Sequence, residues 1–328
     1  MKKTVAIVGV LIGCAYLLLG AAAAQATVFL MDNKLLIDGY FKEQVDWKHE
    51  YEKYDQQFHS CDFTMLRSSM LVEALYKTNP GTDLAINYFG GFRYFYEFMP
   101  ELDHKMHDAI PYWNRSDYQK PSNFDLITEA YVDIIKGPLE IKAGKQIVVW
   151  GETDMKRAAD VINPLDLRYG SPGTEDWESL KMGLWMFRGL YQTDLPGQLL
   201  FETIIIPGDF RAAELPVEGT QQGASPGQTS FNPGKGPGIM AYSNEKARRD
   251  VPHWDFGNTE VGFKVRGYTA GIDWSVFYFN TLSDVYVADP GKVTKLGYKY
   301  VFEGLKSILT GSRINPKFPG YEVFDYKR

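Results

Sequence analysis

Only two cysteines, Cys14 and Cys61, occur in 328 residues, too few for a disulfide framework or a thiolate metal cluster. Beyond the N-terminus no apolar run approaches the ~18 residues that a membrane helix needs, so a helical membrane bundle is excluded. Excess positive charge is missing too. The formal balance is −6, and a nucleic-acid binder normally presents a basic patch. No Ser sits in a Gly-x-Ser-x-Gly elbow. Gly234, Gly236 and Gly238 have neither the Lys-Ser/Thr nor the strand and helix that a phosphate loop requires. Disorder is excluded by a hydrophobic content of 45%. What is abundant is aromatic residues, at 15% of the chain.

The N-terminus reads as an export signal. Lys2 and Lys3 are followed by an apolar run from Val5 to Leu19, and Ala22-Ala23-Ala24 and Ala24-Gln25-Ala26 both satisfy the small-x-small cleavage rule. An uncleaved anchor is the bland alternative, and Leu11-Ile12-Gly13-Cys14 resembles a lipidation box. After Cys14, however, the chain stays apolar through Leu19. The expectation is a signal peptide over 1–26 and a single mature domain over 27–328. Cleavage removes both lysines, takes the balance to −8 and leaves Cys61 alone.

The mature chain alternates with a period of two. From Leu84 to Phe98, one face reads Leu84, Ile86, Tyr88, Gly90, Phe92, Tyr94, Tyr96 and Phe98, and the other carries Asn87, Arg93 and Glu97. A helix would repeat its apolar residues at three and four. Equivalent runs occupy 34–47, 62–77, 125–134 (Leu126, Ala130, Val132 and Ile134 sharing one face), 139–143, 260–266 and 272–278, with less clear ones over 184–191 and 199–206. About nine strands follow, with a tenth expected near Tyr321–Tyr326.

The connections say more. Tight turns at Asn79-Pro80-Gly81, Lys136-Gly137-Pro138, Asp194–Gly197 and Tyr268–Gly271 alternate with long segments over 49–61, 100–121, 151–181, 207–256 and 283–317. A β-sandwich has no reason for that alternation, whereas an outer-membrane barrel has short turns at one end and long loops at the other. The fold class expected is therefore all-β, an antiparallel transmembrane barrel with 9–10 strands visible. Only alternate residues would face lipid, so a mean hydropathy of −0.28 is no objection. The implied partners are outer-membrane lipid and the machinery that assembles such barrels. No cofactor or nucleic-acid partner is indicated, and the sequence does not identify efflux or export partners.

The alternation assigns Arg67, Glu73, Arg93, Glu97, Glu129, Asp133, Lys142 and Gln146 to the lumen face, and Arg is expected to be tolerated at Phe95 but not at Phe92. After a strand ending at Trp150, taken as an interface aromatic, a mixed-charge segment carries Glu152, Asp154, Arg157, Asp160, Asp166 and Arg168. Val161 and Ile162 could pack inside it, and Asn163-Pro164 provides a stiff turn. Such a loop either folds inward to form the pore's narrowest point or remains a solvated external loop. His104-x-x-His107 with Asp103 and Asp108 has metal-ligand residue types, but a solvated polar loop explains it equally. Carboxylates such as Glu152 and Asp154 would line any wet barrel, so no catalytic residue is assigned and the chain is not read as an enzyme.

Gly144-Lys145-Gln146-Ile147-Val148-Val149-Trp150-Gly151-Glu152, followed by Asp160-Val161-Ile162-Asn163-Pro164-Leu165-Asp166-Leu167, resembles the bacterial outer-membrane family catalogued as domain of unknown function 1302. Gly144, Gln146, Trp150, Gly151, Asn163, Pro164 and Asp166 carry the likeness, and Glu129–Asp133 with the Gly137-Pro138 turn fits the same pattern. The resemblance implies a large porin-like barrel and no established substrate. It also implies a longer chain, so this one is expected to be the N-terminal part of a larger barrel. The function expected is a channel or exporter. The alternatives are a plugged barrel acting as an adhesin or receptor through its long loops, and a secreted carbohydrate-acting β-protein.

Overall fold

The computed structural model describes residues 27–47, 63–104, 107, 116, 118–122, 125–151, 160–168, 175, 177–195, 197–214, 254–282, 284, 287–288 and 326–327. The leader over 1–26, the glycine-rich stretch over 215–250, and Glu152, Asp154 and Arg157 lie outside them.

The protein is all-β. Ten strands form one antiparallel sheet in sequence order: β1 (Val28–Leu30), β2 (Leu35–Trp47), β3 (Phe63–Thr78), β4 (Leu84–Glu97), β5 (Ile127–Lys136), β6 (Leu139–Gln146), β7 (Leu184–Gln192), β8 (Leu200–Ile206), β9 (Glu260–Thr269) and β10 (Ile272–Asn280). A separate pair joins β11 (Val287–Ala288) to β12 (Tyr326–Lys327). Among the described residues no pairing joins β10 back to β1. The nine expected strands are all present; of the tenth expected near Tyr321–Tyr326, residues 321–325 lie outside the described residues and Tyr326 belongs to β12. The tenth member of the sheet is β1, which the sequence reading missed because three residues are too few to show a period.

Short turns and long connections alternate without exception along this sheet. Residues 31–34, 79–83, 137–138, 193–199 and 270–271 close hairpins at one end, and 48–62, 98–126, 147–183 and 207–259 lie at the other. Ala270 and Gly271 both take positive φ, 54° and 83°. This two-residue turn matches the right-handed twist of the flanking strands.

The sheet has two unlike faces. The outer face presents Met70, Val72, Phe187, Ile205, Phe263, Val276 and Tyr278, all exposed and brought together by register, as in Phe187↔Ile205 and Phe263↔Tyr278. From β3 to β10 the outward positions between the rims present no charge to the surface: Lys145, opposite Ala130 and Trp185 in register, is buried and its Nζ donates to the Ile127 carbonyl at 2.6 Å. Glu43 on β2 is the exception, and the Ser68 hydroxyl donates to it at 2.7 Å. The opposite face carries Arg67, Glu73, Arg93, Glu97, Glu129, Asp133, Lys142 and Gln146. Arg67, Glu97 and Gln146 are buried toward the long-connection end, and Asp133 is buried nearer the short turns.

Two expectations about facing need correction. The register slips between Gly91 and Phe92, so that Phe92 opposes Ile127 and Thr128 is skipped. This bulge puts Ile127, not Leu126, in the outward row. Phe95 does point inward, but it is buried beneath the Arg67 guanidinium, 5.6 Å from its ring. It is therefore not a wet wall position, and Arg would not be tolerated there.

Candidate functional site: a buried segment across the inner face

The chain that follows β6 folds back over the inner face at the long-connection end. Val148, Trp150 and Ile162 join Leu184, Met186, Ile204 and Ile206 in one buried apolar cluster, with Phe279 packed against it. Trp150 is thus not a girdle aromatic. Its ring lies 5.5 Å from Phe277 and 5.9 Å from Phe279, with Lys264 Nζ 5.7 Å away.

Asn163 fixes the segment. Its Oδ1 accepts from the Val148 N–H at 2.7 Å, and its Nδ2 donates to the carbonyls of Gln146 at 3.0 Å and Met182 at 2.9 Å. The Pro164 carbonyl accepts from Met182 N at 2.9 Å, and Asp166 N donates to Leu180 O at 2.6 Å. Leu165 and Lys181 thereby form an antiparallel bridge, and Asp166 bridges in parallel to Glu214. Gly144 takes φ +137°, and a Cβ there would stand 2.2 Å from the Ala130 carbonyl oxygen. Only glycine allows the β5–β6 backbones so close. The family-like residues Gly144, Gln146, Asn163, Pro164 and Asp166 are therefore one structural unit.

The charges of this segment are paired rather than solvated. Arg168 grips Asp166 as a fork, with Nε to Oδ1 at 2.8 Å and Nη2 to Oδ2 at 2.6 Å, the bidentate geometry that makes such pairs strong. Its Nη2 also reaches Asp125 Oδ2 at 3.4 Å. Asp125 receives Arg211 Nη2 at 2.7 Å and the Ser122 hydroxyl at 2.7 Å. Burial alone would raise the Asp125 pKa, but Arg211, Ser122 and Arg168 overcome it and hold the carboxyl below its ordinary 3.8. Asp160 pairs with Lys181 at 2.6 Å, and Lys181 Nζ also donates to Val148 O at 3.1 Å. Beside these, Arg67 and Glu97 face each other at 3.5 Å, both buried, beneath a fully buried Tyr118.

Of the six expected constriction residues, Asp160, Asp166 and Arg168 are described. All three are buried inside, but as ion pairs stitched to the fold rather than as bare pore-lining charge. Glu152, Asp154 and Arg157 lie outside the described residues. The sequence reading missed Lys181, Arg211 and Glu175, because their partners lie far along the chain and no local spacing marks them.

Residues 175–183 carry the segment across the sheet. Glu175 accepts from Lys42 Nζ at 2.9 Å and from Gln44 Nε2, both on β2. Arg93 on β4 donates to the Ser179 carbonyl within a helical turn over Trp177–Leu180. Gly183 then lies against Thr128 and Lys145, beside β5 and β6. The span from β2 to β6 covers four strand spacings, about 19 Å. One helical turn flanked by extended residues reaches about 20 Å. Glu175, Ser179 and Gly183 thus touch β2, β4 and the β5–β6 pair on that face.

No curated protein matches this chain. The family described as protein of unknown function DUF1302 matches residues 31–321, and the chain belongs to that family.

Proposed function

We propose that this protein is exported, inserts into the outer membrane as a β-barrel and conducts a small solute through its interior. The carrying observation is the contrast between the two faces of one continuous sheet. An apolar outer row without charge from β3 to β10 suits lipid, and a polar inner row suits water. Barrels are the only sheets that cross a bilayer, because closure leaves no backbone group unsatisfied. Strands of 9 to 16 residues in β2–β7, apart from the 8-residue β6, cover the ~9–11 that a crossing needs. The alternation of connections supports short periplasmic turns and long external loops. In this reading residues 1–26 are a cleaved leader, and the barrel-assembly machinery and lipid are the partners. Residues 160–168 form the narrowest point, and no reaction is assigned.

Single-channel recording in a planar bilayer tests this. Stepwise conductance is expected, and a protein recovered as a soluble periplasmic monomer would overturn the reading. The buried inner segment also favours a second reading, a plugged barrel that acts as an adhesin or receptor. Membrane insertion with no conductance under any condition would select that reading.

A further inference from the structure

The inner wall is open at one end and covered at the other, and the change occurs within single strands. On β6 the Glu140 side chain is 32% exposed, whereas Gln146, further along the same strand, is 2% exposed. On β7, Arg188 and Leu190 are half-buried, whereas Leu184 and Met186 are buried. On β3, Lys77 is exposed, Glu73 and Leu75 are half-buried, and Arg67 and Met65 are buried. On β4, Asn87 and Phe89 are half-buried, whereas Phe95 and Glu97 are buried. Asp133 and Glu202 are buried nearer the short turns, but each is engaged by a neighbour in the wall itself. Asn87 Nδ2 donates to Asp133 at 3.3 Å, and Arg188 Nε donates to Glu202 at 2.7 Å. The cover at the long-connection end comes from two connections. Val148, Trp150 and Ile162 lie against Leu184, Met186, Ile204 and Ile206, and a fully buried Tyr118 lies over Arg67 and Glu97.

We propose that the interior is a vestibule entered from the short-turn end, with its barrier at the long-connection end. In the barrel reading the short turns are periplasmic, so the solute meets the wall from the periplasmic side. The inference rests on that reading for the side, but not for the one-ended opening, which is a property of the wall. The chemistry of the two ends differs in the same sense. At the open end, Lys142–Glu140 at 2.9 Å and Arg188–Glu202 at 2.7 Å each keep part of a side chain in solvent, and such pairs exchange readily with water. At the covered end, Arg168–Asp166 and Lys181–Asp160 are sealed, and opening them strands buried charge. A hydrophilic solute therefore replaces partners along the open end with little penalty. Passage beyond it requires packed side chains to part.

Single cysteines in a Cys61→Ser background test this in the full-length protein, with a bulky, charged maleimide and the Cys61→Ser parent as the blank. Glu140→Cys and Leu190→Cys report the open end and Met186→Cys the covered end. Phe256→Cys, at a position 80% exposed in the connection before β9, reports the outside. In detergent, Glu140→Cys and Leu190→Cys are expected to label roughly a hundredfold faster than Met186→Cys, which reacts only through local opening. In intact cells Phe256→Cys should label while Glu140→Cys and Leu190→Cys do not. Osmotic shock, which admits the reagent to the periplasm, should then allow both to label. Labelling of Glu140→Cys in intact cells at the Phe256→Cys rate overturns the proposal, and so does protection of Glu140→Cys in detergent. If Met186→Cys does not fold, the intact-cell comparison alone decides. If Phe256→Cys is silent in intact cells and the protein is recovered soluble, the barrel reading fails, and the detergent rates still decide whether the wall opens at one end.

Discussion

The Val148 N–H donates to Asn163 Oδ1 at 2.7 Å, and through that one side chain the residues just after β6 are tied to those just before β7. Both residues are buried, so neither group can turn to water instead. Asn163→Ala strands one N–H and two carbonyls, and a buried unsatisfied group costs about 1–3 kcal/mol. A loss of about 2–4 kcal/mol is expected, after partial relaxation, in urea unfolding of the detergent-solubilised protein. Asn163→Asp keeps the acceptor but sets a buried carboxylate oxygen against two carbonyls, so it should cost at least as much as alanine at neutral pH. A loss under about 0.5 kcal/mol for alanine would show that the clamp does not hold the segment.

Arg168 is the centre of a buried pair with Asp166 and Asp125. Arg168→Ala leaves both carboxylates without it, and breaking a buried pair costs about 3–5 kcal/mol. Arg168→Lys keeps the charge but not the fork, so it should recover only part of the loss. The pH dependence has a definite sign. Asp125 has a folded pKa below its ordinary 3.8, so its contribution is present above 3.8 and lost as pH falls through the folded value. Asp125→Asn should flatten the parent's decline in stability below about pH 4. An unchanged acid limb would assign that decline to other carboxylates.

The outer face is tested on one strand. Phe187 points outward and is exposed, while Leu190 points inward between Glu140 and Glu202 in register. Phe187→Arg should cost about 2–4 kcal/mol if that face meets lipid. Leu190→Arg, with two carboxylates beside it, should cost much less. The yield of folded, heat-modifiable protein from membranes is the measurement, and equal yields would contradict the face assignment.

Gly144 offers a backbone test. Its φ of +137° and the 2.2 Å approach to Ala130 O leave no place for a Cβ. Gly144→Ala must push β5 from β6, and strain of about 1–3 kcal/mol or more is expected. Gly137→Ala, where nothing stands within 4 Å of the added carbon, is the comparison. It keeps the positive-φ penalty but lacks the collision. Similar losses at both sites would show that conformation rather than crowding decides.

Much of this fold was legible because a strand's period is short enough to read within one run. Leu84 to Phe98 declared both faces of β4, and the turn residues at Lys136-Gly137-Pro138 declared the hairpin. The failures arose where tertiary contacts override the period. The bulge opposite Phe92 moved Ile127 into the outward row, since one extra residue inverts every assignment beyond it. Trp150 looked like a rim aromatic because the alternation reads as a strand ending there, but β6 stops at Gln146 and Trp150 is buried against Phe277 and Phe279. Ile162 and Asn163 of that segment are both buried. The charges beside them were read as wet because nothing near Arg168 in the sequence identifies Asp125, and nothing near Lys42 identifies Glu175.

Asp284 gives the last prediction, at alkaline pH. Its carboxyl is pushed up to about 8, first by burial and then by Glu260 nearby. Its backbone carbonyl accepts from Ala213 N at 2.9 Å, which holds it in place beyond the end of β10. A carboxyl whose folded pKa exceeds its unfolded value binds its proton more tightly when folded. It therefore supports the fold fully below the ordinary 3.8 and loses that support as pH rises through about 8. The parent should lose stability between about pH 5 and pH 9, as charge develops beside Glu260. Asp284→Asn carries no such charge, so its unfolding midpoint should exceed the parent's at about pH 9 and approach it at about pH 5. Glu260→Gln, which removes the neighbouring charge, should reduce the parent's alkaline loss in the same direction but by less. Parallel curves for the parent and Asp284→Asn across this range would show that Asp284 titrates as an ordinary solvated carboxylate.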